Sequence, residues 1–163
     1  VSAPAIASAP LTIASVEDFD PEADGGNAEE NPELVANAFD GNPETAWETL
    51  RYLNQSQLGG LKPGVGLVVD LGEVREVTSV DLTLSGNGTT GIELHVPQGA
   101  GASMATVGDW SLVASNEATP AGTTAFELTE PANTQYVLVY LTDLPAVEGG
   151  FRGVVNEIVV NGR

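Results

Sequence analysis

Oxygen-bearing side chains are concentrated in the segment 37–47, which reads Asn-Ala-Phe-Asp-Gly-Asn-Pro-Glu-Thr-Ala-Trp. Asp40, Asn42 and Thr45 lie close together there, and the intervening glycine and proline favour a tight, stiff loop. Carboxylate, amide and carbonyl oxygens are the ligands that Ca²⁺ prefers in proteins. The same residue types also form ordinary Asx turns without a metal, so both interpretations stay open at this point.

A carboxylate in the last apolar run could complete such a site. If residues 154–160 form a strand, Glu157 lies between Val155 and Val159 on one face, and Asn156 lies among apolar residues on the other. A carboxylate flanked by valines is unfavourable unless it is paired. We therefore expect Glu157 to share a cation with the segment 37–47, the alternative being a glutamate at the solvent edge of a strand.

Cationic side chains are rare, and some of them have neighbours suited to binding a polar ligand. The chain has only five lysines and arginines, and Arg51 lies next to an aromatic residue, as does Arg152. A guanidinium group can hold hydroxyls or carboxylates of a ligand, such as a sugar, whose apolar face rests on an aromatic ring. The candidate ligand-binding residues are Arg51, Tyr52, Lys62 and Arg152. The alternative is surface charge that pairs with the many acids.

No set of catalytic residues stands out in the sequence. His95 is the only histidine, it lies in an apolar run, and no Gly-x-Ser-x-Gly motif or cysteine is present. The 23 acidic residues offer many carboxylate pairs, but no pair stands out as the acid and base of a glycosidase. We therefore predict that the chain is not an enzyme, with a cell-wall hydrolase as the least favoured alternative.

The segment 17–33 carries eight carboxylates and no cation. Like charges at this density repel, so we expect either a solvated loop or one that a cation neutralises. Asp18, Asp20 and Asp24, followed by two glycines, suggest a second cation-binding loop, although their spacing does not fit an EF-hand.

Composition limits the class of protein and its partners. With 163 residues, 42% of them hydrophobic, the chain is long enough for one folded domain. A net charge of −18 argues against nucleic acid and against anionic membrane surfaces as partners. We find no apolar run long enough to span a bilayer.

The elements that must position these residues are predicted to be short strands. Glycine, proline and asparagine turn signals separate apolar or alternating runs at residues 11–16, 65–71, 77–84, 91–96, 110–115, 123–128, 135–142 and 154–160. This pattern predicts an all-β fold, an antiparallel β-sandwich of the eight-stranded jelly-roll type. Residues 33–39 are expected to form a helical turn. We expect an Ala/Pro-rich linker at residues 1–10 and the domain at residues 11–163.

Four motifs together resemble the discoidin, or F5/8 type C, superfamily of galactose-binding-like jelly rolls, which includes carbohydrate-binding modules. They are the segment 38–47, Val69-Asp-Leu-Gly72, Trp110-Ser-Leu-Val113, and the Phe151-Arg-Gly and Asn156-Glu-Ile pair near the C-terminus. The resemblance spans residues 11–163. It implies a structural Ca²⁺ held by Asp40, Asn42, Thr45 and Glu157, with backbone carbonyls near Asn37 and Asn156. Asn42 replaces an acidic residue of the family pattern. The resemblance also implies that ligands bind to loop tips at one end of the sandwich.

A narrower resemblance involves Phe19-Asp-Pro21, the acidic segment, and the glycine-rich residues 60–67 and 70–72. These are similar to the extracellular C-terminal domain of actinobacterial MviN/MurJ-type proteins. That similarity implies a domain tethered to the outer face of the cytoplasmic membrane, as part of a larger chain, and we expect the isolated domain to be monomeric. Its expected partner is a cell-envelope glycan or peptidoglycan precursor, and the alternative is an envelope protein bound by a domain that has lost sugar binding.

Overall fold

The computed structural model describes residues 7–163, in which ten β-strands and four short 3₁₀-helices are present. The strands are β1 (Ala9–Pro10), β2 (Ser15–Phe19), β3 (Trp47–Glu48), β4 (Val65–Ser85), β5 (Thr90–Pro97), β6 (Trp110–Thr119), β7 (Gly122–Asp143), β8 (Ala146–Val147), β9 (Gly150–Phe151) and β10 (Val154–Gly162). The 3₁₀-helices are Glu22–Asp24, Pro32–Ala38, Leu58–Gly60 and Val107–Asp109. No helix in this part of the chain is long and apolar enough to cross a membrane.

The strands form the two layers of an antiparallel jelly-roll sandwich. One layer has the order β2–β4–β7–β5–β6 and uses the first half of β4 and the second half of β7. The other layer contains β10 beside the second half of β4, which pairs with the first half of β7. The short strands β1 and β3 pair with β10. The predicted fold class is confirmed.

The two longest strands each belong to both layers. The sequence predicts separate strands at residues 65–71 and 77–84, but β4 runs through both. A bulge lies between Asp70 and Arg75, where Gly72 has a φ of +82°. The strand therefore turns from one layer to the other without leaving its partner β7, which likewise joins the predicted strands 123–128 and 135–142.

Alternation along the strands fills the core between the layers. Val65, Leu67 and Val69 of β4 are fully buried, as is Leu82 from the other half of that strand. Trp47 is also fully buried and ends the loop 37–47 against this core. Burial of each large apolar side chain contributes about 1.5–3 kcal/mol.

A second apolar cluster covers the outer face of the five-stranded layer. It contains Phe19, Trp110, Leu138 and Tyr140, with the rings of Phe19 and Trp110 in edge contact at 6.1 Å between centroids. The segment 98–109 contributes Met104 and Val107 to this cluster. The outer face is therefore packed against loops over part of its area.

The N-terminal elements differ from the predicted ones. The first long strand is β2, not residues 11–16, because Glu17 and Asp18 take part in pairing with β4. An edge strand tolerates them since one of its faces is exposed. Of the predicted linker, residues 1–6 lie outside the described part of the chain, while Ala9 and Pro10 pair with the end of β10.

Candidate functional site

The loop 37–47 folds around the carboxylate of Asp40. Its Oδ1 accepts a hydrogen bond of 2.9 Å from the Asn42 N–H, and its Oδ2 accepts one of 2.5 Å from the Thr45 hydroxyl. These two bonds, the Thr45 bond foremost, hold the pKa of Asp40 below its usual range. Asp40 is therefore ionised in a fixed orientation.

Glu157 of β10 reaches the same loop. Its Oε1 accepts a hydrogen bond of 3.1 Å from the N–H of Gly41. Partial burial raises the pKa of Glu157, and the neighbouring carboxylate of Asp40 raises it further, against the effect of the Gly41 N–H. The structure thus places two carboxylates side by side without a cationic side chain between them.

The predicted alternation around Glu157 is wrong because β10 contains a bulge at Asn156. The bulge turns Val155 into the core beside Ile158, and both are almost fully buried. Glu157 shares its half-exposed face with Val159 instead of lying between two buried valines. The bulge therefore points the carboxylate at the Asp40 loop.

The three asparagines predicted at this site brace the loop. Asn37 donates through Nδ2 to the Ala46 carbonyl at 3.0 Å, and Asn156 donates to the Pro43 carbonyl at 3.0 Å. The Asn42 Oδ1 accepts from the Glu44 N–H at 3.0 Å, which engages its side-chain oxygen within the loop. The side chains that converge are thus those of Asp40, Thr45 and Glu157. An oxygen-only set with two carboxylates fits the chemistry of a Ca²⁺ ion.

The backbones of Arg51 and Arg152 lie opposite each other at one end of the sandwich. Tyr52 and Phe151 form an isolated antiparallel bridge, with both backbone hydrogen bonds at 2.8 Å. In such a pair the flanking residues face each other, so Arg51 lies directly across from Arg152. Two of the five cations of a very acidic chain are therefore neighbours.

The two guanidinium groups extend in different directions from the bridge. Arg51 is exposed and runs along the β8–β9 hairpin, so a Cβ added at Gly149 would lie 3.1 Å from its Nη1. Arg152 turns towards Glu48, whose Oε2 is 3.7 Å from its Nη1. The Arg152 Nε is buried and has no hydrogen-bond partner within residues 7–163.

Tyr52 and Lys62 lie in a buried network instead of at the surface. The Lys62 ammonium is 2.7 Å from Asp20 Oδ1 and 3.6 Å from Glu30 Oε1. The Tyr52 hydroxyl donates to the Glu30 carboxylate at 2.8 Å, and Lys62 lies 5.1 Å from the centre of the Tyr52 ring. The structure therefore presents neither side chain to a ligand, because their polar groups are taken up internally.

Glu30 is the centre of this network and has no distinguishing signal in the sequence. It is fully buried, its carboxylate also accepts from the Leu50 N–H at 2.9 Å, and its carbonyl accepts from the Trp47 indole at 2.8 Å. Burial raises the pKa of Glu30, while the Tyr52 hydroxyl, the Leu50 N–H and Lys62 act in the opposite direction. The acidic segment is thus neutralised in part by Lys62.

The carboxylates considered for a second cation loop do not converge. Asp20 pairs with Lys62, Asp18 accepts from the Glu30 N–H at 2.7 Å, and Asp24 accepts from the Val107 N–H at 2.9 Å. Within residues 7–163 no group of three or more acidic or histidine side chains is arranged to hold a metal.

Comparison with known proteins identifies relatives of this architecture. The family model F5/8 type C, described as a NedA-like, galactose-binding domain, matches residues 37–139. Among solved structures, chitosan-binding module 1 from a chitosanase/glucanase of Paenibacillus sp. IK-5 is 20% identical, with a TM-score of 0.65 over 94% of this chain and 97% of that one. The CBM32 of AlyQ, in complex with 4,5-unsaturated mannuronic acid, is 16% identical, with a TM-score of 0.64 over 93% and 97%. CpGH89CBM32-6 of Clostridium perfringens is 14% identical, with a TM-score of 0.61 over 91% and 93%.

Proposed function

The chain belongs to the F5/8 type C family of galactose-binding-like domains, and on that premise we propose that it is a non-catalytic module that binds a glycan. The observation that carries the proposal is the placement of Arg51 opposite Arg152 at one end of the sandwich. Because the net charge is −18, most of the surface repels anions, and the neighbouring arginines provide guanidinium donors for the oxygens of a ligand at this end. A polar ligand with hydroxyl or carboxylate groups would accept hydrogen bonds from this pair.

The arginines would act as hydrogen-bond donors to sugar oxygens. A guanidinium group presents several N–H donors in a planar fork, which suits vicinal hydroxyls and carboxylates. Phe151 precedes Arg152 and is paired with Tyr52, and its partly buried ring packs against the main core on the other face from the arginines. Names of structural neighbours, such as chitosan-binding module and CBM32, support a glycan as the ligand class.

A cell-envelope setting is the finer form of the proposal. It rests on the sequence resemblance to the outer domain of actinobacterial MviN/MurJ-type proteins. The module would then sit outside the cell, tethered to the cytoplasmic membrane, and bind a peptidoglycan precursor or another envelope glycan. Its part would be to position the membrane protein that carries it.

A structural Ca²⁺ is the second part of the proposal. Asp40, Thr45 and Glu157 would hold it, with Asn37, Asn42 and Asn156 bracing the loop or adding backbone carbonyls. The ion would supply the positive charge that the two adjacent carboxylates lack. At a hundredfold excess over its dissociation constant it would stabilise the fold by about 2.7 kcal/mol, which raises the melting temperature of a domain this size by roughly 5–10 °C.

A protein-binding role is the second candidate, and exposed leucines favour it. Leu53 and Leu61 are 54% and 70% exposed near the same end of the sandwich, and both lie beside Gly59. Because the polar groups of Tyr52 and Lys62 are bonded to buried acids, this end of the sandwich offers a sugar fewer polar groups than the sequence suggests. An envelope protein with a small apolar surface would fit these leucines.

A glycan array with purified chain and charge-matched variants tests the proposal. Arg51→Gln and Arg152→Gln each remove one guanidinium, and we expect each to weaken glycan binding by about tenfold. Arg75→Gln is the control, because the Arg75 side chain is exposed to nearly the same extent as that of Arg152, 34% against 37%, but lies at the bulge of β4. Peptidoglycan fragments and purified envelope proteins complete the panel.

The outcomes separate the two candidates. Glycan binding that falls in the Arg51 and Arg152 variants and persists in the control supports the sugar-binding module. If the array is blank and an envelope protein is captured instead, through Leu53 and Leu61, the protein-binding role replaces it.

A further inference from the structure

The outer face of the five-stranded layer contains a groove remote from both sites described above. It has a volume of about 310 Å³ and lies between β2, β4, β7 and the segment that leads into β6. The residues used below are Glu17, Val68, Asp70, Met104, Trp110 and Tyr136. This volume is near the lower end of the range for small-molecule sites, so it suits one ring of a ligand.

Strand register explains why these side chains share one face. Ser15, Asp70 and Tyr136 are direct neighbours across β2, β4 and β7, and Glu17 is paired with Val68 one step further along. Val16, Val69 and Val137, which alternate with them, are buried in the core, so this set lies on the outer face. The groove is therefore built on rigid strands.

One wall of the groove is aromatic and apolar. Trp110 is almost fully buried, held by edge contact with Phe19 and by a hydrogen bond of 3.4 Å from its indole N–H to the Met104 carbonyl. Tyr136 and Met104 are partly exposed beside it. Such a wall can pack against the C–H face of a sugar ring and attract a cation near the ring faces.

The polar groups of the groove are acceptors that carry negative charge. The Glu17 carboxylate has no hydrogen-bond or salt-bridge partner within residues 7–163. Asp70 Oδ1 accepts from the Gly72 N–H at 2.7 Å and from Gln135 Nε2 at 3.0 Å, which fixes the carboxylate and leaves Oδ2 free of partners in the described chain. None of the salt bridges within residues 7–163 involves Glu17 or Asp70. Two carboxylates beside an aromatic wall thus lack a counter-charge.

We propose that this groove is a second ligand site and that it binds an amino sugar whose amine is free and protonated. The ammonium group lies between Glu17 and Asp70 and donates charge-assisted hydrogen bonds to both, while the ring rests on Tyr136 and the Trp110–Met104 wall. An N-acetylated sugar is rejected, because its amide carries no charge and its acetyl group adds bulk where the ammonium group would lie. Under the proposed function, the end that carries Arg51 and Arg152 would bind neutral or acidic sugar groups, so the two sites would select opposite charges on a glycan.

The test is an NMR titration of the full chain, labelled with ¹⁵N, with a β-1,4-linked glucosamine trimer and with the matching N-acetylated trimer. We expect the free-amine trimer to shift the Trp110 indole resonance and the acetylated trimer to leave it unchanged. The variants Glu17→Gln and Asp70→Asn should each weaken binding by about tenfold. Glu117→Gln, an exposed acid elsewhere in β6, is the control and should bind as the wild type does.

Several results would overturn the proposal. They are an equal response to the acetylated trimer, unchanged affinity in both groove variants, or shifts confined to residues 51–53 and 149–152. Thermal melts of the variants establish that they remain folded, and Glu17→Gln alters only an exposed side chain. Arg51→Gln should retain the shift of the Trp110 indole resonance on adding the free-amine trimer. The test therefore separates the proposal for the groove from the proposal for the arginine-bearing end.

Discussion

Removal of Lys62 should destabilise the domain far more than removal of a surface cation. Its ammonium lies 2.7 Å from Asp20 and 3.6 Å from Glu30, and the side chains of both acids are 0% exposed. Lys62→Met keeps the length of the side chain but leaves two buried carboxylates without a cation. Breaking a buried pair in this way costs about 3–5 kcal/mol. That is a large part of the roughly 5–15 kcal/mol that stabilises a typical domain.

Urea denaturation of the variant measures this loss. With a slope of about 2 kcal/mol per molar urea, the midpoint should fall by roughly 2 M. Arg75→Met is the matched control, because the contacts of Arg75, with Glu73 at 3.8 Å and with the Arg163 carbonyl oxygen at 3.3 Å, both lie at the surface. Such a surface pair contributes at most about 1 kcal/mol.

The stability lost in Lys62→Met should become smaller as the pH falls. Burial raises the pKa of Glu30, and Lys62 opposes that effect. An acid with a raised folded pKa destabilises the fold above that pKa, and the cost disappears as the pH falls through it. Without Lys62 the pKa of Glu30 rises further, so the gap between variant and wild type should narrow as the pH falls from neutrality.

Two results would refute this reasoning. One is a loss below about 1 kcal/mol, equal to that of the surface control, since it would mean that water already screens the carboxylates. The other is a gap that widens in acid. A double variant, Lys62→Met with Glu30→Gln, removes one of the stranded charges and should recover part of the lost stability.

Three further changes probe other parts of the fold. Glu157→Gln should raise the melting temperature in EDTA, because it removes a carboxylate whose raised pKa marks a destabilising charge at neutral pH. The same variant should abolish any rise in melting temperature on adding Ca²⁺. A melting temperature that falls in EDTA would contradict this prediction. Trp47→Phe should cost about 2–3 kcal/mol in urea denaturation, because it opens a cavity and removes the indole hydrogen bond to a buried carbonyl. Gly66→Ala should cost at least about 3 kcal/mol, because its Cβ would lie 2.0 Å from the Val139 carbonyl oxygen; Gly99→Ala, which meets nothing within 4 Å, should be silent in the same measurement.

Periodicity in the sequence was sufficient for the fold class and for most strand positions. It could not show that β4 and β7 continue past their glycine and proline, because a bulge and a turn use the same residues. It also misplaced β2, because Glu17 and Asp18 look like loop residues when the partner strand is unknown. The bulge at Asn156 reversed the faces of β10 for the same reason: register is a property of the pair, not of one strand.

The two candidate sites differ in how much the sequence revealed. Asp40, Thr45 and Glu157 were predicted to be neighbours and the structure brings them together, because a short loop and a strand end fix their positions. Tyr52 and Lys62 were predicted to bind the ligand, but they pair with acids from residues 17–33. Nothing in the local spacing distinguishes a carboxylate that will be buried against a lysine from one that will be solvated.

The passage of β4 and β7 through both layers has a consequence for how the chain folds. Val65 pairs with Leu141 and Leu84 with Gly122, so the central ladder joins segments distant in sequence at both of its ends. Neither layer can assemble before this ladder closes, because each layer contains half of both strands. Chains dominated by such distant pairings fold in milliseconds to seconds. We therefore expect a single cooperative and slow folding transition, in which the two layers appear together and neither exists as an intermediate by itself.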